Sequence, residues 1–247
     1  MSDTKIEWTD KTWNPVVGCT RVSAGCDNCY AVVQTRIKAA NPGMKGKYVG
    51  LINEGKRHFN GVVRLWEPHL DVPLKQTKPS RYFVNSMSDL FHERLAFEDI
   101  AKVFDVMKRA HWHVFQVLTK RPERASEFAS RLPWPPNVLM GTSVEDDRVL
   151  DRIDALRAVP AHVRFLSCEP LIGPLGVVDL TGIQWCIVGG ESGPGSRIMR
   201  PEWARHLRDQ CVAQGVAFHF KQFGHFDEKG ASVGKGKSGR LLDGREW

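Results

Sequence analysis

A repeated alternation between short apolar segments and amphipathic helical segments constrains the fold of this 247-residue chain more than any other feature. Each apolar segment is rich in β-branched and aromatic residues, ends in polar residues and precedes a stretch with helical periodicity. Thr119, Thr142 and Cys168 follow one another at intervals of 23 and 26 residues, which is the length of one strand and one helix. The apolar segments are 81–89, 113–121, 137–145, 163–170, 183–193 and 216–224.

Strands that alternate with helices predict a parallel sheet with right-handed crossovers. Helical patterns over 95–110 and 200–215 support this prediction; Pro201 suits a first helical turn and Gly215 suits the position after a last turn. With a first strand in segment 13–31, the chain has seven predicted strands. The predicted fold class is α/β, a full or partial (β/α) TIM-like barrel with about seven parallel strands in a single domain. An open doubly wound sheet is the alternative.

Polar residues end six successive predicted strands. The carboxyl ends of parallel barrel strands share one rim, and ligands bind at that rim. A single polar residue there is commonly a solvated strand end, but the recurrence on six strands predicts a binding site. The candidate cofactor-binding residues are Asn85, Lys120, Thr142, Glu145, Glu169, Glu191 and Lys221.

Three of the six cysteines lie within eleven residues, with the spacing C-x6-C-x2-C: Cys19, Cys26 and Cys29. A structural zinc site needs four protein ligands, usually in two pairs, and this segment offers no fourth cysteine. Three cysteines without a local fourth ligand suit a [4Fe–4S] cluster with one open iron, in a predicted loop over 18–30. Zinc ligation and free thiols remain the alternatives.

Two regions interrupt the strand–helix alternation within a predicted barrel of 1–224. The insertion 41–81 holds eight Lys or Arg against three Asp or Glu, in a chain whose formal net charge is +7. This charge favours a nucleic-acid partner, with basic side chains on phosphates and an aromatic side chain on bases. The alternative is a solvated loop whose tryptophan packs on the barrel. The candidate contacts are Lys45, Lys47, Lys56, Arg57, Arg64 and Trp66.

The C-terminal tail 225–247 is rich in glycine and lysine, and we expect it to be flexible until "RLLDGREW". The polar N-terminus does not resemble a signal peptide, and the sequence has no run of eighteen apolar residues. Six cysteines are too few for a disulfide scaffold in a chain of this size. These features predict a cytoplasmic protein without membrane association, and they leave its oligomeric state open.

The stretch "IEWTDKTWNPVVGCTRVSAGCDNCYA" resembles the N-terminal signature of a phage- and bacterium-borne three-cysteine-motif family of largely unknown function. The resemblance extends through "LTKRPER", "GTSVED", "FLSCEPLIGPL", "IVGGESGPGSR", "FHFKQFG" and "GRLLDGREW". More distantly, the family resembles radical S-adenosylmethionine enzymes such as spore photoproduct lyase, which combine a three-cysteine cluster loop with a partial barrel. In this chain the first cysteine spacing is six residues rather than three, and "GGE" (189–191) ends the sixth strand rather than following the second.

The resemblance implies an iron–sulfur enzyme in which the open iron binds S-adenosylmethionine. An electron from an external donor then cleaves this cofactor to a 5′-deoxyadenosyl radical, and the substrate is nucleic acid undergoing base repair or modification. Lys120 or Lys221 would pair with a carboxylate, and Glu145 or Glu191 with an ammonium group or ribose. Asn85 would bind adenine or ribose.

A catalytic role as hydrogen-atom donor falls to Cys168 in this interpretation, because it ends a strand. Its alternative role is that of a small buried hydrophobic residue. The alternative function for the whole chain is a cluster- or zinc-stapled nucleic-acid-binding protein without radical chemistry. A purely structural cluster does not require polar residues to converge on one rim of the barrel. The polar rim therefore favours the enzyme over the nucleic-acid-binding protein.

Overall fold

The computed structural model describes residues 2–4, 6–44, 46–234 and 236–247, which form an α/β fold on a curled parallel sheet. The strands are β1 (Ser2–Asp3), β2 (Lys11–Trp13), β3 (Val16–Val17), β4 (Arg64–Leu65), β5 (Arg81–Val84), β6 (Val114–Thr119), β7 (Val138–Ser143), β8 (Val163–Cys168), β9 (Trp185–Gly189) and β10 (Ala217–Gln222). The α-helices are α1 (Tyr30–Ala39), α2 (Phe97–Arg109), α3 (Pro122–Glu127), α4 (Asp151–Arg157) and α5 (Pro201–Ala213).

The main sheet has the strand order β1-β2-β5-β6-β7-β8-β9-β10. All pairs from β2 to β10 are parallel, and the edge strand β1 is antiparallel to β2. The seven parallel strands therefore form a half-barrel, which confirms the predicted fold class in its partial form. Each of the six predicted apolar segments contains one strand of this sheet.

The first strand lies earlier than the sequence pattern suggests. Strand β2 ends at Trp13, before the first cysteine, and β3 leaves the main sheet to pair with β4 of the insertion. Gly18 then turns the chain with φ 89°, and a Cβ atom at this position would lie 1.8 Å from the carbonyl oxygen of Val62. The cysteines therefore lie in a loop that begins at this contact with the insertion and continues along the sheet.

The two faces of the half-barrel bury different cores. The outer face packs on the helices and forms one large hydrophobic cluster with them. This cluster contains, for example, Leu166 and Val188 from the sheet and Leu207 from α5. The inner face holds a smaller cluster in which the Trp8 ring lies 4.7 Å from that of Phe83. Side chains alternate between these faces along each strand, so alternate residues of a strand point into the concave side.

The last residues of the C-terminal tail pack on the free edge of β10. Leu242 is fully buried, the Phe220 amide donates to the Trp247 carbonyl at 3.3 Å, and the Trp247 ring contacts Phe218. This contact covers the edge that the half-barrel leaves unpaired at β10. Within the described ranges, no helix is long and apolar enough to cross a membrane.

Candidate functional site

The cysteine loop, residues 18–30, lies across the carboxyl-end rim of the half-barrel. Its backbone and side chains contact residues that follow four strands of the sheet, β5, β6, β7 and β9. Ser23 contacts Glu145 after β7, and Asn28 contacts Glu191 after β9. Just before the loop, the Val16 amide donates to Asn85 Oδ1 after β5, at 3.2 Å. Rim residues far apart in sequence thus fix the loop in place.

Glu145 is the most buried of these contacts, with 1% of its side chain exposed. Its Oε1 accepts hydrogen bonds from the Ser23 hydroxyl and, at 3.2 Å, from the Gly25 amide. Its Oε2 accepts from Arg152 Nη1 at 2.9 Å. A Cβ atom on Gly25 would lie 2.8 Å from Glu145 Oε1, so the loop approaches the carboxylate closely only because this residue is glycine.

Glu191 fixes the other end of the loop. Its Oε2 accepts from Asn28 Nδ2 at 3.0 Å, and Arg197 donates to both carboxylate oxygens at 2.9 and 2.6 Å. Burial opposes ionisation of this group, but the hydrogen bonds from Arg197 and Asn28 outweigh it and lower the pKa of Glu191. Arg197 also donates to the carbonyl of Ala24 at 2.9 Å. An ionised Glu191 therefore anchors the loop directly and through Arg197.

A polar network surrounds the residue after Cys19. Thr20 Oγ1 accepts from Arg121 Nη2 at 2.7 Å and lies 2.9 Å from His92 Nε2. Arg121 Nη1 is 3.1 Å from Asp89 Oδ2. Asp89 Oδ1 in turn accepts from the hydroxyl of Thr119 at 2.6 Å. The network connects the start of the loop to the end of β6.

His92 is completely buried, and its two ring nitrogens have distinct roles. Its Nδ1 accepts from the Arg94 amide at 3.1 Å, which leaves Nε2 to carry the proton and donate to Thr20. Burial, followed by the positive charge of Arg121, lowers the pKa of His92, so the imidazole is neutral at pH 7.

The three cysteines of the loop form no disulfide and are half-buried. Burial and then the charge of Asp89 raise the pKa of Cys19 to about 12, and the thiols of Cys26 and Cys29 contribute to this rise. Burial also raises the pKa of Cys29, against the opposing effect of the Lys120 ammonium. As their side chains stand, no three His, Cys, Asp or Glu residues of the described ranges form a group that could hold a metal ion.

The concave side of the rim below the loop contains an ion pair and a further lysine. Lys221 Nζ lies 2.6 Å from Glu169 Oε1, and both side chains are mostly buried. A Cβ atom on Gly189 would lie 2.8 Å from the same Glu169 oxygen, so the pair lies against β9. Lys120 follows β6, and its ammonium acts on Cys29 as described above. All three residues are partly buried, so each keeps part of its side chain exposed.

Two of the predicted rim residues, Thr142 and Asn85, are buried rather than exposed on the concave side. Thr142 is fully buried and donates to the carbonyl of Thr119 at 3.0 Å, within the sheet. Asn85 is 2% exposed and has the positive φ of 57°, and its Nδ2 has no hydrogen-bond partner among the described residues. Thr142 is therefore a sheet residue, whereas Asn85 retains a buried donor beside the loop.

Cys168 lies away from the concave side. Its side chain is fully buried in the large outer cluster, on the sheet face that packs against α5. The thiol of Cys186 interacts with those of Cys168 and Cys211 in this layer. The structure thus places Cys168 as a small hydrophobic core residue and does not bring its thiol to the concave side.

The candidate nucleic-acid residues divide into surface and interior positions. Lys56 and Arg57 are exposed. Lys47 is 2% exposed, and its Nζ donates to the Asn14 carbonyl at 2.6 Å, so it is not available to phosphate. Arg64 donates hydrogen bonds to the carbonyls of Lys47 and Val49 and thereby connects two segments of the insertion. Trp66 is half-buried, and Lys45 lies outside the described residues.

Several residues that hold the loop were not singled out from the sequence. Arg121 lies in the "LTKRPER" segment, and nothing in that segment indicates its contact to Thr20. Arg152 and Arg197 lie seven and six residues after the glutamates they contact. An arginine that closely follows a rim glutamate was the available signal for both ion pairs.

The fold and site define a half-barrel α/β protein with a three-cysteine loop anchored over the carboxyl ends of its strands. A family model described as "Protein of unknown function (DUF5131)" matches residues 3–247. The chain therefore belongs to this family. No curated protein and no solved structure matches it.

Proposed function

We propose that the chain is an iron–sulfur enzyme in which Cys19, Cys26 and Cys29 hold a [4Fe–4S] cluster with one open iron. The observation that carries the proposal is the position of the cysteine loop. Carboxylates from two strand ends anchor it over the concave side of a half-barrel. A loop that needs only to staple the fold has no reason to lie over the face where parallel barrels bind ligands.

The donor set fits such a cluster in its chemistry. Three thiols come from one loop, and cysteine thiolates are the usual ligands of [4Fe–4S] clusters. Because burial raises the pKa of Cys19 and Cys29, thiolates at these positions need a nearby positive charge, which bound iron supplies. Ligation requires the three sulfur atoms to converge from their present positions.

The concave side supports S-adenosylmethionine as the second cofactor. Lys120 suits the carboxylate of this ligand. The Glu169–Lys221 pair offers one negative and one positive group for the ligand's amino acid and ribose parts. The bound cofactor supplies one-electron radical chemistry. The residues of this chain bind it, orient it and exclude water beneath the cysteine loop.

Nucleic acid is the proposed substrate class, for base repair or modification. The chain carries a net charge of +7, and Lys56 and Arg57 are exposed on the insertion. Such charges bind phosphates electrostatically. A base within a duplex would have to be flipped out or already unpaired to reach the concave side.

One observation favours the second candidate, a cluster- or zinc-stapled nucleic-acid-binding protein. Glu145 and Glu191, which the enzyme hypothesis assigns to a cofactor, are already bound to Arg152 and Arg197. Lys120, the unpartnered amide donor of Asn85 and the Glu169–Lys221 pair then remain of the ring for a ligand.

Calorimetry with S-adenosylmethionine on the anaerobically reconstituted protein distinguishes the two candidates. The enzyme proposal predicts binding, its weakening by Lys120→Met, and 5′-deoxyadenosine after reduction. A reconstituted cluster without cofactor binding or cleavage would instead support the binding protein. Lys229→Met, on the C-terminal tail, is the matched control and should bind as the wild type does.

A further inference from the structure

Helix α1 carries apolar residues on two opposite sides, one buried and one exposed. It buries Ala31 and Val32 against the body of the protein. On its other side Tyr30, Val33 and Ile37 are 49%, 48% and 59% exposed. Their i, i+3, i+7 spacing puts them in one stripe. A solvated helix normally presents polar residues outward, so a contiguous exposed apolar stripe indicates a surface that a partner covers.

The stripe begins at the cysteine loop. Tyr30 directly follows Cys29, and its hydroxyl donates to the carbonyl of Ser86 at the rim. Apolar exposure continues around the loop through Val22, which is 42% exposed, and Val62, which is 41% exposed. Val62 lies beside the loop because its carbonyl oxygen contacts Gly18. A partner on this surface would therefore sit next to the three thiols.

Basic side chains border the stripe. Arg36 is exposed on α1 and donates to the carbonyl of Lys56, which places the exposed Lys56 and Arg57 alongside the helix. We call the set of Tyr30, Val33, Arg36, Ile37, Lys56 and Arg57 the α1 patch. Its apolar centre and positive margin complement a protein surface with an apolar centre and acidic margin.

The apolar residues of the patch decide between a protein and a nucleic acid. Nucleic acids bind through phosphate contacts and through bases stacked on aromatic rings. Tyr30 is the aromatic residue of the patch, and its hydroxyl is bound to the carbonyl of Ser86 at the rim. Val33 and Ile37 are aliphatic and offer bases no stacking surface. Their burial is favourable against apolar protein side chains, so the α1 patch favours a protein partner.

We propose that the α1 patch docks an acidic, low-potential one-electron carrier protein. This inference rests on the proposed function, in which an external donor reduces the group held by the cysteines. In the docked complex, one electron passes from the carrier to that group. The carrier would lose one electron and a cluster held by the three cysteines would gain it, with no bond broken or formed and no proton moved.

The test uses the full-length, anaerobically reconstituted protein and an acidic plant-type [2Fe–2S] ferredoxin as the probe. Sedimentation at low salt measures the complex, and stopped-flow absorbance measures cluster reduction by reduced ferredoxin. Val33→Glu combined with Ile37→Glu should weaken the complex and slow the reduction at least tenfold. Val212→Glu is the matched control, because Val212 is 63% exposed on α5, and it should stay within twofold of the wild type. Reduction by dithionite, which needs no docking, should be the same in all variants.

A second variant, Arg36→Glu, tests the charged margin without altering the apolar stripe, and thermal unfolding checks that each variant folds. The inference is overturned if the ferredoxin does not bind, or if both patch variants bind it and are reduced as the wild type is. It is also overturned if the patch variants lose affinity for single-stranded nucleic acid and not for ferredoxin. A wild-type protein without iron and sulfide refutes the proposed function itself. A cluster that dithionite reduces, together with unaffected patch variants, refutes only the docking.

Discussion

Replacing Glu145 by alanine tests whether this carboxylate anchors the cysteine loop. Glu145 and Arg152 form an ion pair whose side chains are 1% and 5% exposed. Removing one partner of a buried pair costs about 3–5 kcal/mol, because the other charge stays buried without compensation. Ser23 and the Gly25 amide also lose their acceptor. We therefore expect Glu145→Ala to lower the free energy of unfolding by about 3–5 kcal/mol, of a total that is typically about 5–15 kcal/mol.

Urea unfolding followed by tryptophan fluorescence measures this loss, and the chain has eight tryptophans as probes. Asp105→Ala is the control, because Asp105 and Arg109 form an exposed pair on α2 and its loss should cost about 0–1 kcal/mol. The double variant Glu145→Leu with Arg152→Met removes both charges and should regain most of the lost stability. If Glu145→Ala unfolds within about 1 kcal/mol of the wild type, as an exposed pair does, the anchoring role is wrong.

Three further predictions concern the insertion. Burial lowers the pKa of Lys47 to about 8 in the folded protein, below its ordinary value of 10.5, so the folded chain loses this proton first. Stability should accordingly rise between about pH 8 and pH 10, by up to about 1.4 kcal/mol per pH unit, and urea unfolding of Lys47→Met should lack this contribution. Lys56→Glu combined with Arg57→Glu should weaken binding to all nucleic-acid sequences alike, and each lost phosphate contact should reduce the log–log salt slope by roughly 0.7–0.9. Because both residues also border the α1 patch, the same variant should weaken ferredoxin binding, and the two partners should compete for the wild type. Trp66→Ala should mainly weaken binding to unpaired strands; a loss of stability without a change in affinity would instead show that Trp66 only packs on the barrel.

The strands and main helices were predictable because their signals are local. Each of β5 to β10 lies inside an apolar segment bounded by polar residues, and α2 and α5 lie inside their predicted helical patterns. Strand β2 was misplaced because three residues, Lys11–Trp13, are too few to show alternation. Pairing with the parallel neighbour β5 makes this segment a strand, and that contact is not encoded locally.

The candidate site was predictable in position and only partly in detail. The rim glutamates were found as strand-end residues, but their use as anchors depends on contacts such as Ser23 with Glu145, 122 residues apart. The burial of Lys47 arises because the insertion folds back onto Asn14, which its basic composition does not indicate. Thr142 lies near a strand end, but its side chain is buried within the sheet, because successive residues of a strand point to opposite faces.

The central claim is tested most directly by metal analysis of the protein after anaerobic purification and reconstitution. Iron, acid-labile sulfide and zinc are measured per chain in the wild type and in serine variants of Cys19, Cys26, Cys29 and Cys211. A [4Fe–4S] cluster predicts about four irons and about four sulfides, lost in each of the first three variants and retained in Cys211→Ser, whose thiol lies in the outer core. One tightly held zinc without sulfide, or iron that persists in the loop variants, would contradict the account.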